Sequence, residues 1–208
     1  MEHDKQYDKQ GKRSAALPIT LALLVFSLIG NVFLYAQSIQ NSQDRKYEAG
    51  QVVGMNAEQT ASFYNSALQS LDSLLQNDGS GTGQMMIDKF NLGQSFGNHV
   101  QGVLDFITAA HKLEGKDDKV DAVFQIFSDN EQKLRLIAME NGSLSDADRN
   151  YLTALRDAYA QEREIILRFN FDTIGIRSSS IRLGGGYGWL DIADDLEKAI
   201  LVHGSSLK

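Results

Sequence analysis

His111 and Glu162 have the chemistry and the helical positions to form a buried acid–histidine pair. Glu162, like Glu131, falls inside an apolar stripe when its helix is drawn on a wheel, and a buried carboxylate without a hydrogen-bond donor is costly. Counted along the predicted helices at roughly 1.5 Å per residue, His111 and Glu162 lie within about one turn of each other. The interpretation we favour is that both acids lie at partly hydrated seams between helices. The sharper alternative is a pH-responsive His111–Glu162 pair, with Glu131 taking another donor.

Residue types that bind metals or attack substrates are scarce or wrongly spaced. The chain contains no cysteine, which excludes disulfides, thiolate metal sites and cysteine nucleophiles. Di-iron bundles need Glu-x-x-His on two helices, and this pattern does not occur. The Gly-x-Ser-x-Gly spacing of a nucleophile elbow occurs at residues 93–97, but within a predicted helix rather than between a strand and a helix. The loop that begins at Asp78 resembles a calcium-binding loop, but Lys89 stands at its twelfth position, where calcium requires glutamate. We therefore expect no metal and no enzymatic activity.

A glycine-rich stretch, residues 184–188, precedes the last predicted helix and resembles a phosphate-binding loop. The dinucleotide pattern requires a glycine where Trp189 stands, and three aspartates at the start of the helix would repel a phosphate. We expect no cofactor here. Instead, the glycines form a turn that lets Trp189 dock on the rest of the domain, with Tyr187 beside it as a second candidate for contacts.

Two pairs of glycines are spaced by one helical turn, namely Gly50 with Gly54 and Gly93 with Gly97. Glycine destabilises a helix interior, so such a pair indicates the close approach of another helix. That helix belongs either to the same bundle or to a second copy of the chain.

Residues 15–36 carry no charge and, as one helix, span roughly 30 Å, the thickness of the hydrocarbon core of a bilayer. A cleaved signal peptide is the alternative, but it would have a shorter apolar core and a small residue where Leu34 stands. Lysine and arginine are more frequent before this run than just after it, which predicts a cytoplasmic amino terminus. We predict a cytoplasmic tail at residues 1–14, a single-pass anchor in the cell membrane at 15–36, and an extracytoplasmic domain at 37–208.

The apolar pattern of residues 37–208 predicts an all-α fold, an antiparallel bundle of four main helices. The first helix has an apolar stripe at alternating spacings of four and three: Val53, Ala57, Thr60, Tyr64, Ala67, Leu71 and Leu74. The third helix spans about 119–140 and is predicted to bury Phe124, and Ser145 followed by Asp148 resembles the capping box of the fourth. The last part, residues 170–203, is predicted as a small extended, glycine-rich segment followed by a short helix that begins at Trp189.

The net charge and the predicted membrane anchor together limit the classes of function that this protein can have. The net charge is −7, without a cluster of lysine and arginine after the anchor, so nucleic acid is excluded as a partner. The leading hypothesis is a membrane-anchored, non-catalytic interaction protein of the cell surface that binds a protein partner or itself. The alternative is an extracytoplasmic sensor that binds a small ligand and signals through a partner, since a short tail cannot hold an output domain.

Overall fold

The computed structural model describes residues 16–76, 100–116, 120–139 and 143–207, and these are helical or in turns, without a strand. The helices are α1 (Ala16–Gln76), α2 (100–114), α3 (Asp121–Met139), α4 (Asp146–Ile166), α5 (Arg177–Leu183) and α6 (Leu190–Ser206), with a short 3-10 helix at Phe171–Thr173. The predicted all-α fold, a helical bundle behind one long apolar helix, is confirmed. The chain divides into two compact units, Met1–Gln43 and Asp44–Lys208.

The first unit contains the apolar N-terminal part of α1. Among the described residues, this is the one helix long and apolar enough to span a membrane, and its most apolar window is not buried at all. Leu17, Phe26 and Phe33 each expose about two thirds of their surface or more. An apolar helix that the described residues do not bury has the property that a lipid-facing segment requires.

In the second unit, the core is built around the predicted stripe of α1. All seven residues of that stripe are buried, which confirms the prediction. Phe63 and Tyr64 form edge-to-face contacts with Tyr159 of α4, at ring-centroid distances of 5.7 and 5.6 Å. Phe127 of α3 joins the same cluster, 5.7 Å from Phe63. Edge-to-face packing is a favoured arrangement of aromatic rings, so these rings stabilise the contact of α1, α3 and α4.

The start of α4 follows from its cap. The Ser145 hydroxyl accepts a hydrogen bond from the backbone N–H of Asp148 at 3.1 Å and donates one to the Asp148 carboxylate. The predicted cap is therefore present. In α3, by contrast, Phe124 is 56% exposed, although we expected it in the core. The buried line of α3 runs through Val123 and Phe127, and one residue along a helix turns a side chain by about 100°, which places Phe124 outside it.

The segment between α4 and α6 contains the short 3-10 helix and α5, joined by turns, so the predicted extended segment is wrong. α5 occupies Arg177–Leu183, and its buried residues are Ser180 and Leu183, which lie three positions apart on one helical face. Ile181 and Leu183 alternate with a polar residue, a pattern that resembles a strand, but in the helix only Leu183 of the two is buried. The short last helix is confirmed as α6, whose first turn follows Trp189.

Candidate functional site

α6 contributes to two histidine–carboxylate pairs. Nε2 of His111 in α2 lies 2.8 Å from Oε2 of Glu197 in α6. Oε1 of Glu162 in α4 lies 2.9 Å from Nδ1 of His203 in the last turn of α6. The structure therefore gives His111 and Glu162 different partners, and the predicted pair between them is wrong. The physical reason is that α6 packs on α4 and supplies a partner to each, whereas the prediction considered only α2, α3 and α4.

Glu131 has a donor on its own helix. Nη2 of Arg135, one turn later in α3, lies 2.6 Å from Oε1 of Glu131, whose side chain is 31% exposed. Glu131 thus finds another donor, as expected, and lies in a partly hydrated position.

The Glu162–His203 pair has a low-dielectric environment. The Glu162 side chain is 2% exposed, and burial raises the pKa of its carboxyl above 4.5 although the His203 contact lowers it. The hydrogen bond to Glu162 in turn raises the pKa of His203 above 6.5. Tyr64 of α1 faces the same carboxylate, and its own burial, followed by the charge of Glu162, raises its pKa well above 10.0. Oε2 of Glu162 and the Tyr64 hydroxyl form no hydrogen bond of normal geometry within the described residues.

The sequence contains a signal for the inward position of His203, because this residue continues the apolar stripe of α6. Leu196 and Ile200 are buried on the inner face of α6, and His203 follows Ile200 by three residues on that same face. Continuing the stripe past its last apolar residue would have identified a histidine turned towards the bundle.

Trp189 is fully buried, so the predicted docking of this residue is confirmed. Its indole Nε1 donates a hydrogen bond to the carbonyl oxygen of Leu183 at 2.8 Å, and its ring centroid lies 5.2 Å from that of Phe106 in α2. Tyr187 is 68% exposed and lies on the surface. The glycine-rich turn therefore positions an internal tryptophan and leaves Tyr187 available for external contacts.

Gly50 and Gly54 of α1 allow another part of the same chain to approach. A Cβ atom at Gly50 would collide with the carbonyl oxygen of Ser180 in α5, and one at Gly184 would collide with the carbonyl oxygen of Lys46. At Gly54, a Cβ atom would lie 3.3 Å from Cγ1 of Ile174. The close approach is thus the one within the bundle. The second predicted pair, Gly93 and Gly97, lies outside the described residues, as does the loop that begins at Asp78.

An open apolar groove of about 450 Å³ runs between α1 and α2. Val52 and Met55 of α1 form one wall and Leu113 of α2 the other; these three side chains are 48%, 49% and 46% exposed. Asp105 and Lys112 also line it. Large apolar side chains that share a groove and remain half exposed are typical of a contact surface.

A second open groove, of about 640 Å³, lies between α1 and α4 and is polar. Its two arginines already have partners: Nε of Arg156 lies 2.8 Å from Oδ1 of Asp72, and Nε of Arg163 lies 2.6 Å from Oδ1 of Asn65. Cations that are engaged in this way are poor receptors for an external anion. We find no cluster of three or more metal-ligating side chains among the described residues.

No protein-family model, curated protein or solved structure matches this chain. The apolar α1–α2 groove and the polar contacts of α6 are therefore the features from which a function can be argued.

Proposed function

We propose that this protein is a membrane-anchored, non-catalytic interaction protein whose second unit lies outside the cytoplasm and associates with a second copy through the α1–α2 groove. The single observation that carries this proposal is the groove itself, in which Val52, Met55 and Leu113 each expose nearly half of their surface. Burying such side chains against another protein is favourable by about 25 cal/mol for each Å² of apolar surface.

The membrane location rests on the apolar run at residues 15–36. The candidate span is exposed along its most apolar window. Four lysine or arginine residues precede the span, at positions 5, 9, 12 and 13, and two follow closely, at 45 and 46. This asymmetry favours a cytoplasmic tail at residues 1–14 and an extracytoplasmic domain at 37–208.

Charge complementarity favours a second copy as the occupant of the groove. Glu48 and Glu58 flank the α1 wall; the α2 wall carries Lys112 and also Asp105, which accepts a hydrogen bond from Gln101. Glu48, Glu58 and Lys112 are exposed and form no ion pair with a described residue. A twofold arrangement would bring Lys112 of one copy towards the α1 acids of the other and Met55 into the facing groove. Equivalent anchors would also give the copies a common orientation and a high effective concentration.

The alternative function, a small-ligand sensor, has weaker support. Such a sensor needs a cavity that encloses most of the ligand and presents a few converging polar groups. The α1–α2 groove is open and its walls are largely apolar. Its shape suits an extended protein surface better than a small polar molecule.

Cysteine cross-linking in native membranes tests the proposal, because the chain has no cysteine of its own. In the full chain, Met55→Cys should give a covalent homodimer on mild oxidation. Leu136→Cys is the matched control, since Leu136 is 55% exposed on α3, away from the groove. Equal dimer yields from both variants, no dimer from Met55→Cys, or its cross-linking to a different protein would each overturn self-association.

The Leu136→Cys variant tests the topology, because its side chain is 55% exposed outside the proposed interface. We expect a membrane-impermeant maleimide to label it in intact cells. Labelling that requires permeabilised cells would contradict the proposed orientation.

A further inference from the structure

The contacts of His203 suit the doubly protonated ring. Nδ1 faces Oε1 of Glu162 at 2.9 Å, and Nε2 faces Oε1 of Gln161 at 3.3 Å. A protonated imidazole donates from both nitrogens, whereas a neutral one donates from only one. When the ring is neutral, it therefore loses one of these two bonds unless the Gln161 amide turns its NH₂ group towards the ring.

Each helix next to this pair contributes identifiable groups. α4 provides Glu162, the charged group that interacts with His203. Tyr64 of α1 and Tyr159 of α4 face Glu162, and burial raises the pKa of both phenols well above 10.0, so they stay neutral and supply no charge. α3 meets α6 through an apolar contact of Ile126 with Gly204. Among the described residues, no other acid or cation therefore interacts with the Glu162–His203 pair.

The position of His203 in α6 also favours the protonated form of its ring. It lies in the last turn, where the helix dipole favours a positive charge. The carboxylate of Glu162 is 2% exposed, so when the histidine loses its proton a charge is left buried with only a neutral donor.

We propose that the Glu162–His203 pair makes the docking of the C-terminal half of α6 depend on pH, with α6 held more tightly in mildly acidic than in mildly alkaline medium. This property is independent of the self-association proposed above.

Both members of the pair change stability in the same direction. The pKa of His203 is raised on folding, so its contribution is complete below pH 6.5 and is lost as the pH rises through the raised value. The pKa of Glu162 is also raised, because burial disfavours its charge, so the folded state is penalised increasingly above pH 4.5. The folded state thus binds protons more strongly than the unfolded state at both groups, and α6 is less stable at higher pH.

Hydrogen exchange of the full chain in lipid nanodiscs measures this effect. Exchange is compared near pH 5.5 and pH 8 after correction for the intrinsic rate, with α4 peptides as the internal reference. We expect the open fraction of residues 195–207 to be about tenfold larger at the higher pH, the factor that corresponds to one charge-assisted hydrogen bond.

Three variants decide whether the pair is responsible. Glu162→Gln keeps a hydrogen-bonding side chain without a charge and should abolish the pH difference. His203→Gln, which cannot be protonated, should remove the part due to the histidine and leave the part due to the buried Glu162 carboxyl. Lys198→Gln, which removes a cation from the exposed face of α6, should retain it. If His203→Gln unfolds α6 at both pH values, Glu162→Gln decides alone. Equal protection of the wild-type helix at both pH values, or a pH difference that persists in Glu162→Gln, would overturn the proposal.

Discussion

The α6 side of the second unit buries large and polar side chains, whereas the α1–α2 groove leaves apolar side chains half exposed. On the α6 side, Trp189 is fully buried and its indole N–H has an acceptor, while Oε1 of Glu162 and Nδ1 of His203 form a hydrogen bond across the seam between α4 and α6. Along the groove, Val52 and Met55 remain half exposed.

This difference shows which surface of the second unit is packed by the chain's own residues and which is left exposed. A buried polar group needs a partner, so the α6 seam can close only if the chain supplies that partner itself. Exposed apolar side chains carry no such requirement, and they remain available for another surface. Substitutions on the closed side should therefore change folding stability, whereas those in the groove should change association.

The largest effect is expected from Trp189→Ala on the closed side. It removes a fully buried indole and leaves a cavity beside Phe106, so unfolding should become easier by about 3–5 kcal/mol. Residues 170–207 should lose protection from hydrogen exchange first. The control is Tyr187→Ala, two residues earlier and 68% exposed, which should change stability by less than about 0.5 kcal/mol. Similar losses for both variants would show that the closed side is not organised around Trp189.

Gly50→Ala should have the next largest effect, about 3 kcal/mol, measured as thermal unfolding by circular dichroism. The added methyl group would collide with backbone atoms of Ser180, which cannot move as a flexible side chain could. Gly30→Ala provides the control within the same helix, because a Cβ atom there meets no atom within 4 Å. A Gly50→Ala protein as stable as the Gly30→Ala protein would mean that α5 does not pack tightly on α1.

The smallest effect on stability is expected from Met55→Ser in the groove. Its side chain is 49% exposed, so the free energy of unfolding should change by no more than about 0.5 kcal/mol, while association of two copies should be clearly weakened. Denaturant unfolding at a dilution that dissociates the copies measures the first quantity, and sedimentation in detergent measures the second. A loss of stability above about 2 kcal/mol would place Met55 in the fold's own core.

The sequence by itself determined the features that depend on neighbouring residues. The buried stripe of α1 from Val53 to Leu74 follows from helical periodicity, and the start of α4 follows from the local contact of Ser145 with Asp148. The docking of Trp189 was also predictable, since a large apolar ring behind a flexible glycine turn is stabilised by burial. The α5 helix was missed because Ile174 alternates with Ile176, and Ile181 with Leu183, and such alternation resembles a strand until the neighbouring surface is known.

Only the tertiary structure decided which polar groups meet. His111 and Glu197 are separated by 86 residues, and Glu162 and His203 by 41. Helical wheels identified His111 and Glu162 as inward-facing, but a wheel gives a direction and not the identity of the facing helix. The partners were set by the packing of α6, a contact between distant segments that depends on shape and total burial rather than on any local spacing.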